Sequence, residues 1–171
     1  MISIITPVFN EENTLNELFR RVEKSCKELN QDFEMIFIDN GSYDNSLNII
    51  KKISKNKNNI KFLSLKKNVG HQGAIWAGLI NTNYTTVIID ADLQQPPELI
   101  KEIIKKWRNG FKIVNTTKKS DLDNRIWKKI TSFFFYKVIN KLTNLNLSEG
   151  QSDFCLLDSE VLKEVKKFEE K

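Results

Sequence analysis

Two carboxylates one residue apart, Asp90 and Asp92, close the apolar run Val87-Ile88-Ile89 and are followed by Gln94 and by Pro96-Pro97. A short β-branched run reads as a buried strand, and proline suits a first helical turn. In an open α/β sheet, ligands bind just beyond the carboxyl ends of the strands, where these carboxylates would sit. Asp90, Asp92 and the amide oxygen of Gln94 form a hard donor set suited to Mg²⁺ or Mn²⁺. Such a partial set leaves coordination positions for substrate phosphates. The plainer alternative is a solvated acidic turn capping a helix. The strand before the motif, and the glutamine and paired prolines after it, argue against that.

Asp39 ends a second apolar run, Phe33 to Ile38, in the same way, so its carboxylate is expected in the same crevice. There it could accept a hydrogen bond from a base N–H. An Asx turn over Asp39-Asn40-Gly41-Ser42 explains it equally well. Pro7 and Phe9 close a first strand and could pack on a base or ribose, or simply belong to the strand-end core.

The elements that would position these residues alternate. Strands are predicted at Ile2–Phe9, Phe33–Ile38, Ile60–Leu65, Thr85–Ile89 and Phe111–Thr116. Between them lie helices capped at Asn13 or Thr14, from about Asp44 (Leu47, Ile50 and Ile53 inward), over Ala74–Ile80, and over Pro96–Trp107. Lys67 to Gly73 reads as a turn, with His71 a surface or turn residue. Alternation of this kind implies βαβ units and a mainly parallel sheet. Beyond it the pattern predicts an aromatic, basic helix over Asp123–Leu142, a strand over Ser152–Leu157 and a helix from Glu160 to Lys171. The aromatic helix reads as ordinary core with solvated lysines, or as a face that meets a membrane or a lipid.

The 171 residues make one domain's worth of chain, with a net charge of +5 that comes mostly from lysine. Mild basicity suits phosphate-bearing or membrane-surface partners, while the lack of a nucleic-acid motif argues against a nucleic-acid partner. Cys26 and Cys155 match no metal or redox spacing, and a single histidine excludes a multi-histidine metal site. There is no charged leader and no apolar run near the ~20 residues that span a bilayer. A cytoplasmic location is therefore expected. The loop after the first strand lacks G-x-G-x-x-G, and no P-loop lysine motif exists. Phosphate charge must be met by metal or side chains.

Thr6-Pro7-Val8-Phe9-Asn10-Glu11-Glu12, Ile38-Asp39-Asn40-Gly41-Ser42, Asn68-Val69-Gly70 and Asp90-Ala91-Asp92-Leu93-Gln94-Gln95-Pro96-Pro97-Glu98 occur in order along the chain. In order and spacing they resemble the family 2 glycosyltransferases of GT-A fold, in the branch of dolichol-phosphate mannose synthases and bacterial polyprenyl-phosphate glycosyltransferases. Ser152-Asp153-Phe154-Cys155-Leu156-Leu157-Asp158 is similar to that branch's Asp-Phe-Arg-Leu segment. The resemblance covers essentially the whole chain. It implies a mainly parallel, Rossmann-like sheet flanked by helices. It also implies inverting transfer of a sugar from a UDP- or GDP-linked donor to a polyprenyl phosphate, undecaprenyl or dolichyl, at the cytoplasmic face of a membrane.

By position, the resemblance assigns Pro7, Phe9, Glu11, Ile38 and Asp39 to the nucleoside, and Asp90, Ala91, Asp92 and Gln94 to the diphosphate. Asp90, Asp92 and Gln94 are also assigned to the metal, with Asp92 counted among the catalytic residues. Asp153 matches the acidic residue near the acceptor. A phosphate monoester, with a second pKa near ~6, is already largely ionised at neutral pH, so Asp153 would orient substrates there. With a hydroxyl acceptor it would have to act as a base. Lys118 stands where the family has a phosphate-binding arginine, and lysine can meet the charge without a bidentate fork. Asn40 stands for a frequent second aspartate, His71 for lysine or arginine, and Cys155 for the arginine of Asp-Phe-Arg-Leu. Residues 1–171 are expected to form a single catalytic domain, truncated before the family's C-terminal interfacial or membrane part. Transfer to a glycan, or a nucleotide-sugar-binding remnant without activity, are the alternatives.

Overall fold

A computed structural model describes residues 1–55, 57–117 and 151–167. The predicted aromatic helix over 123–142 and Lys118 lie outside the described residues. Met1–Asn115 and Asp153–Lys171 form one compact unit, and Thr116–Ser152 a second. The site described below belongs to the first.

The elements are β1 (Ile2–Val8), α1 (Leu15–Glu28), β2 (Phe33–Asp39), α2 (Ser46–Ser54), β3 (Ile60–Ser64), α3 (His71–Ile80) and β4 (Thr85–Ile88). A 3₁₀ turn (Pro97–Leu99) leads into α4 (Ile100–Arg108), followed by β5 (Ile113–Thr117), β6 (Gln151–Leu157) and α5 (Ser159–Val165). The six strands run in the order β3-β2-β1-β4-β6-β5. β1 pairs in parallel with both β2 and β4, and β2 with β3, whereas β6 pairs antiparallel to β4. The expected mainly parallel sheet flanked by helices is the observed one.

Every residue of β1 is buried, as a central parallel strand covered on both faces requires. Its side chains alternate. Ile2, Ile4 and Val8 join Met35, Phe37 and Val87 beneath α1, α2 and α4. Ile5 points the other way, with Ile36, Ile38 and Ile88, against Ala74, Ile75 and Leu79 of α3 and Leu162 of α5. Helix α1 buries Leu15, Leu18, Val22 and Cys26, the three-and-four spacing of an amphipathic helix. Helix α3 sits so close to the sheet that a Cβ on Gly78 would lie 2.5 Å from Ile5 Cγ2 and 2.9 Å from Ile38 Cδ1. Only a residue without a side chain fits there.

Several boundaries differ from the sequence reading, among them three helix ends. Helix α2 starts at Ser46, and Leu47 is only half-buried, because Asp44 is spent in the preceding turn, accepting from the Ser46 N–H at 2.9 Å. Helix α3 starts at His71 instead of Ala74. The Gly70 carbonyl accepts from the Ala74 N–H at 3.1 Å and so begins the helix three residues early. Among the described residues, α5 ends at Val165.

The end of the Asp90–Glu98 motif is tied to α1. Arg21 Nε and Nη2 donate to the two Glu98 oxygens at 2.8 and 2.5 Å, a bidentate pair. The Arg21 hydrogen bonds lower the Glu98 carboxyl from 4.5 to about 2, against the opposing effect of burial. A carboxyl that titrates lower in the folded chain adds stability above its unfolded value, and that stability is lost as pH falls through the folded value. Glu98 is 45% exposed, so solvent screening limits the pair to roughly 0.2–1 kcal/mol. Glu98→Gln should therefore be less stable than wild type by that amount near pH 6. The two should converge as pH falls from about 4.5 towards about 2, measured by urea unfolding across that range.

Candidate active site

Parallel pairing brings the carboxyl ends of β1 to β4 to one edge of the sheet. The register sets Val8 beside Asp39 and Asp39 beside Ser64, and the loops after these strands form one rim. β1 lies between β2 and β4, so the chain leaves it in opposite directions, the switch point at which open α/β sheets bind ligands. A cleft of about 300 Å³ opens there, lined by Pro7, Val8, Phe9, Glu11, Asn40, Asn68, His71, Asp90, Ala91 and Asp92. That volume is at the lower end for small-molecule sites.

One wall is a pair of loops laced by side-chain-to-backbone bonds. The Asn10 and Glu11 N–H groups donate to Ser42 Oγ (3.1 Å) and Ser46 Oγ (2.8 Å). In return the Tyr43 and Asn45 N–H groups donate to Asn10 Oδ1 (3.0 Å) and Glu12 Oε2 (2.8 Å). Asn10 adopts φ +58°, a left-handed conformation that asparagine tolerates. Phe9 leaves this wall 39% exposed at the cleft and meets Tyr43 edge-to-face at 5.7 Å.

Asn40 holds the opposite loop. Its Nδ2 donates to Asn68 Oδ1 (3.2 Å) and the Gly70 carbonyl (3.1 Å), and its Oδ1 accepts from the Val69 N–H (2.9 Å). Gly41 must be glycine: φ is +73°, and a Cβ would lie 2.8 Å from the Lys67 carbonyl carbon. This loop delivers His71, the first residue of α3.

The floor comes from β4 and β6. Ile88 pairs with Cys155, and Asp90 and Asp153 lie two residues beyond that pair on the two chain segments, past the end of the ladder and close to one another. Like charges this close disfavour one another unless something positive faces both. His71 Nε2 lies 3.4 Å from Asp90 Oδ1 and 3.2 Å from Asp153 Oδ2. Asp92 follows in a sharp turn with Leu93 at φ +59°. For a leucine this costs on the order of 1 kcal/mol, and it is held by the Gln94 N–H donating to Asp92 Oδ1 at 3.0 Å. Burial, with the charges of Asp92, Asp44 and Asp90 adding to it, raises the Glu11 carboxyl above 4.5, while its bond from Thr14 opposes the shift. The cleft gathers negative charge.

The structure brings together Pro7, Phe9, Glu11, Asp90, Ala91 and Asp92 in this cleft and sets Asp153 at its floor. It does not bring Ile38, whose side chain is fully buried against α3. Its side chain therefore belongs to the core, and Ile38 is not among the residues that line the cleft. Asp39 is also buried. Its Oδ1 accepts from the Ser42 N–H at 3.2 Å and its Oδ2 from Ser64 Oγ at 3.1 Å. That is the turn-forming arrangement, one layer behind the lining. Gln94 is exposed beyond the Asp92 turn.

His71, read from sequence as a surface or turn residue, is exposed, and it also lines the cleft at the start of α3. The available signal was its position just past the end of a third parallel strand. Asn40 and Asn68 also line the cleft. Burial and the nearby Asp153 push the Cys155 thiol up to about 11, so it stays neutral where the resembling segment carries a cation.

Residues 3–166 match the family model for glycosyl transferase family 2, and the chain belongs to that family. It is 35% identical over 170 residues to the uncharacterized glycosyltransferase YkcC of Bacillus subtilis, covering 99% of this chain and 53% of that protein. It thus spans about half the length of this relative. Its fold matches that of S. aureus TarS 1-349 in complex with UDP (TM-score 0.64, 21% identity, 96% of this chain and 48% of that one). It also matches glucosyl-3-phosphoglycerate synthase from Mycobacterium tuberculosis in complex with Mn²⁺, UDP and phosphoglyceric acid (TM-score 0.64, 19% identity, 94% and 56%). These likenesses establish the GT-A fold.

Asn40→Asp tests the loop anchor. The carboxylate keeps the Val69 bond but loses both donations and faces two oxygens, a cost of roughly 1–3 kcal/mol. The melting temperature should fall, and amide exchange at Gly70 and Ala74 should quicken.

Proposed function

We propose that this chain is the donor-binding catalytic domain of an inverting, metal-dependent glycosyltransferase that moves a sugar from a nucleoside diphosphate sugar to a polyprenyl phosphate. The observation that carries the reading is the placement of Asp90 and Asp92 in the lining of the β1–β4 crevice, with Asp153 close to Asp90 across His71. In this reading Pro7, Phe9 and Glu11 face the nucleoside, and Asp39 serves that end by holding the Gly41–Ser42 turn or by accepting from the base. Asp90, Ala91, Asp92 and Gln94 face the diphosphate.

The donor set fits a divalent cation, because Asp90, Asp92 and Asp153 gather carboxylates against which His71 is the one basic group lining the cleft among the described residues. Asp90, Asp92 and Gln94 would hold Mg²⁺ or Mn²⁺, which offsets the charge that develops on a departing nucleoside diphosphate. Asp153, 48% exposed, would orient the incoming phosphate, which needs no base.

Neutral Cys155 favours a second reading, transfer to a hydroxyl acceptor with Asp153 as the base. No described helix is long and apolar enough to cross a membrane. The lipid acceptor would bring the reaction to a membrane's cytoplasmic face by peripheral association.

Incubating the protein with labelled UDP- and GDP-sugars, Mn²⁺, and either undecaprenyl phosphate or a glycan separates these readings. Label in the lipid supports the first, and label only in the glycan supports the second. Tight donor binding with no transfer overturns both.

Asp92→Asn should lose metal-dependent donor binding and activity; unchanged activity at limiting Mn²⁺ would refute its metal role. Asp39→Ala should weaken UDP or GDP with and without metal. An affinity loss seen only with metal present would remove Asp39 from the nucleoside end.

A further inference from the structure

Three donor atoms from three separate elements meet at the cleft floor: His71 Nε2 at the start of α3, Asp90 Oδ1 after β4, and Asp153 Oδ2 in β6. All lie within 4.8 Å of one another. We propose that His71 is a nitrogen ligand of the divalent cation held here, with Asp90 and Asp153 beside it. The site would then select a first-row transition ion, Mn²⁺ or Co²⁺, over Mg²⁺. The proposal rests on the reading that the cleft holds a cation, and it adds a ligand that the Asp-x-Asp-x-Gln pattern does not contain.

The spacing supports it. His71 Nε2 is 3.4 Å from Asp90 Oδ1 and 3.2 Å from Asp153 Oδ2. Adjacent ligands at right angles around an ion with bonds of ~2.1–2.3 Å sit roughly 3 Å apart. Hydrogen bonding alone accounts for the arrangement less well. A charge-assisted N–H···O contact is usually ~2.7–2.9 Å, and a single Nε2 position carries one proton at most, so it cannot fully satisfy two carboxylates. One ion can face all three atoms at once.

The histidine is also placed, not merely near. Asn40 grips the Asn68–Gly70 turn through three hydrogen bonds, and Gly70 at φ +83° turns the chain into α3. The helix therefore begins with its first side chain over the β4–β6 ladder. Asp153 gains a second role in this arrangement, because the antiparallel strand that brings it close to Asp90 also makes it a ligand.

The choice of ion follows from the donors. Mg²⁺ prefers an all-oxygen, near-ideal octahedron and dehydrates reluctantly. An imidazole nitrogen favours later first-row ions, with affinity rising from Mn²⁺ to Co²⁺.

Pulsed electron paramagnetic resonance on the purified chain loaded with Mn²⁺, with and without UDP, tests the assignment directly. The expected result is a ¹⁴N modulation from one imidazole that disappears in His71→Ala. Calorimetric titrations should show Mn²⁺ and Co²⁺ affinity falling by about tenfold or more in that variant, with Mg²⁺ affinity changed less than about twofold. Asp153→Asn supplies a second arm, in which the nitrogen signal persists while Mn²⁺ affinity drops. Circular dichroism checks that both variants fold. Bound Mn²⁺ without nitrogen coupling, or an equal loss of Mg²⁺ and Mn²⁺ in His71→Ala, would overturn the ligand assignment and leave the cation reading standing. No Mn²⁺ binding, with or without UDP, would overturn both.

Discussion

The site depends on one pairing: β6 lies antiparallel against β4, whereas the ladders that join β1, β2, β3 and β4 run parallel. An antiparallel neighbour enters the sheet where its partner leaves it, so the start of β6 stands at the carboxyl end of β4. Asp153 therefore meets Asp90 although 63 positions apart in the chain. A parallel strand in that place would have carried Asp153 to the far edge. The pairing forces two carboxylates together, and the surrounding structure answers with a histidine and with room for a cation.

Around that floor, rigidity comes from polar side chains bonded to backbone. The loops after β1 and β2 have no regular pairing of their own, so their N–H groups need other acceptors. Asn10, Glu12, Ser42, Asp44 and Ser46 supply them in both directions across the two loops. Asn40 does the same for the loop after β3. Its amide is both donor and acceptor, which an aspartate's carboxylate is not, and so asparagine stands there for a reason within the chain. Glu98, clamped by Arg21, closes the frame on the α1 side. The cleft is thus bounded by cross-linked loops, as preorganised electrostatics at a reaction centre requires.

Much of the fold was legible because burial patterns are local. β1 and β2 are short, mostly apolar, β-rich runs, α1 shows its stripe, and the strand-helix alternation implies parallel order. Asp90 and Asp92 were legible for the same reason: a buried strand ending in carboxylates has one place to put them. Asp39 was ambiguous, and burial resolved its observed contacts in favour of the turn. The buried face taken by Ile38 was not legible, because adjacency to Asp39 in a strand says nothing about which face a side chain takes. The place of His71 beside the cleft was not legible because the sequence shows a glycine-flanked turn, and only the Asn40 bonds reveal how the helix start is held there.

What the sequence by itself determined was the alternating architecture, the carboxylates at the end of the β4 run and the family to which the resemblance pointed. Those signals lie within a few residues of one another, where periodicity and turn chemistry operate. The tertiary structure decided which groups share a site: Asp153 through its antiparallel strand and His71 through a side-chain clamp 31 positions away at Asn40, while the Ser42 N–H and Ser64 Oγ hold Asp39 behind the lining. Contacts between strands and loops far apart in sequence are fixed by packing and pairing, which no local pattern encodes.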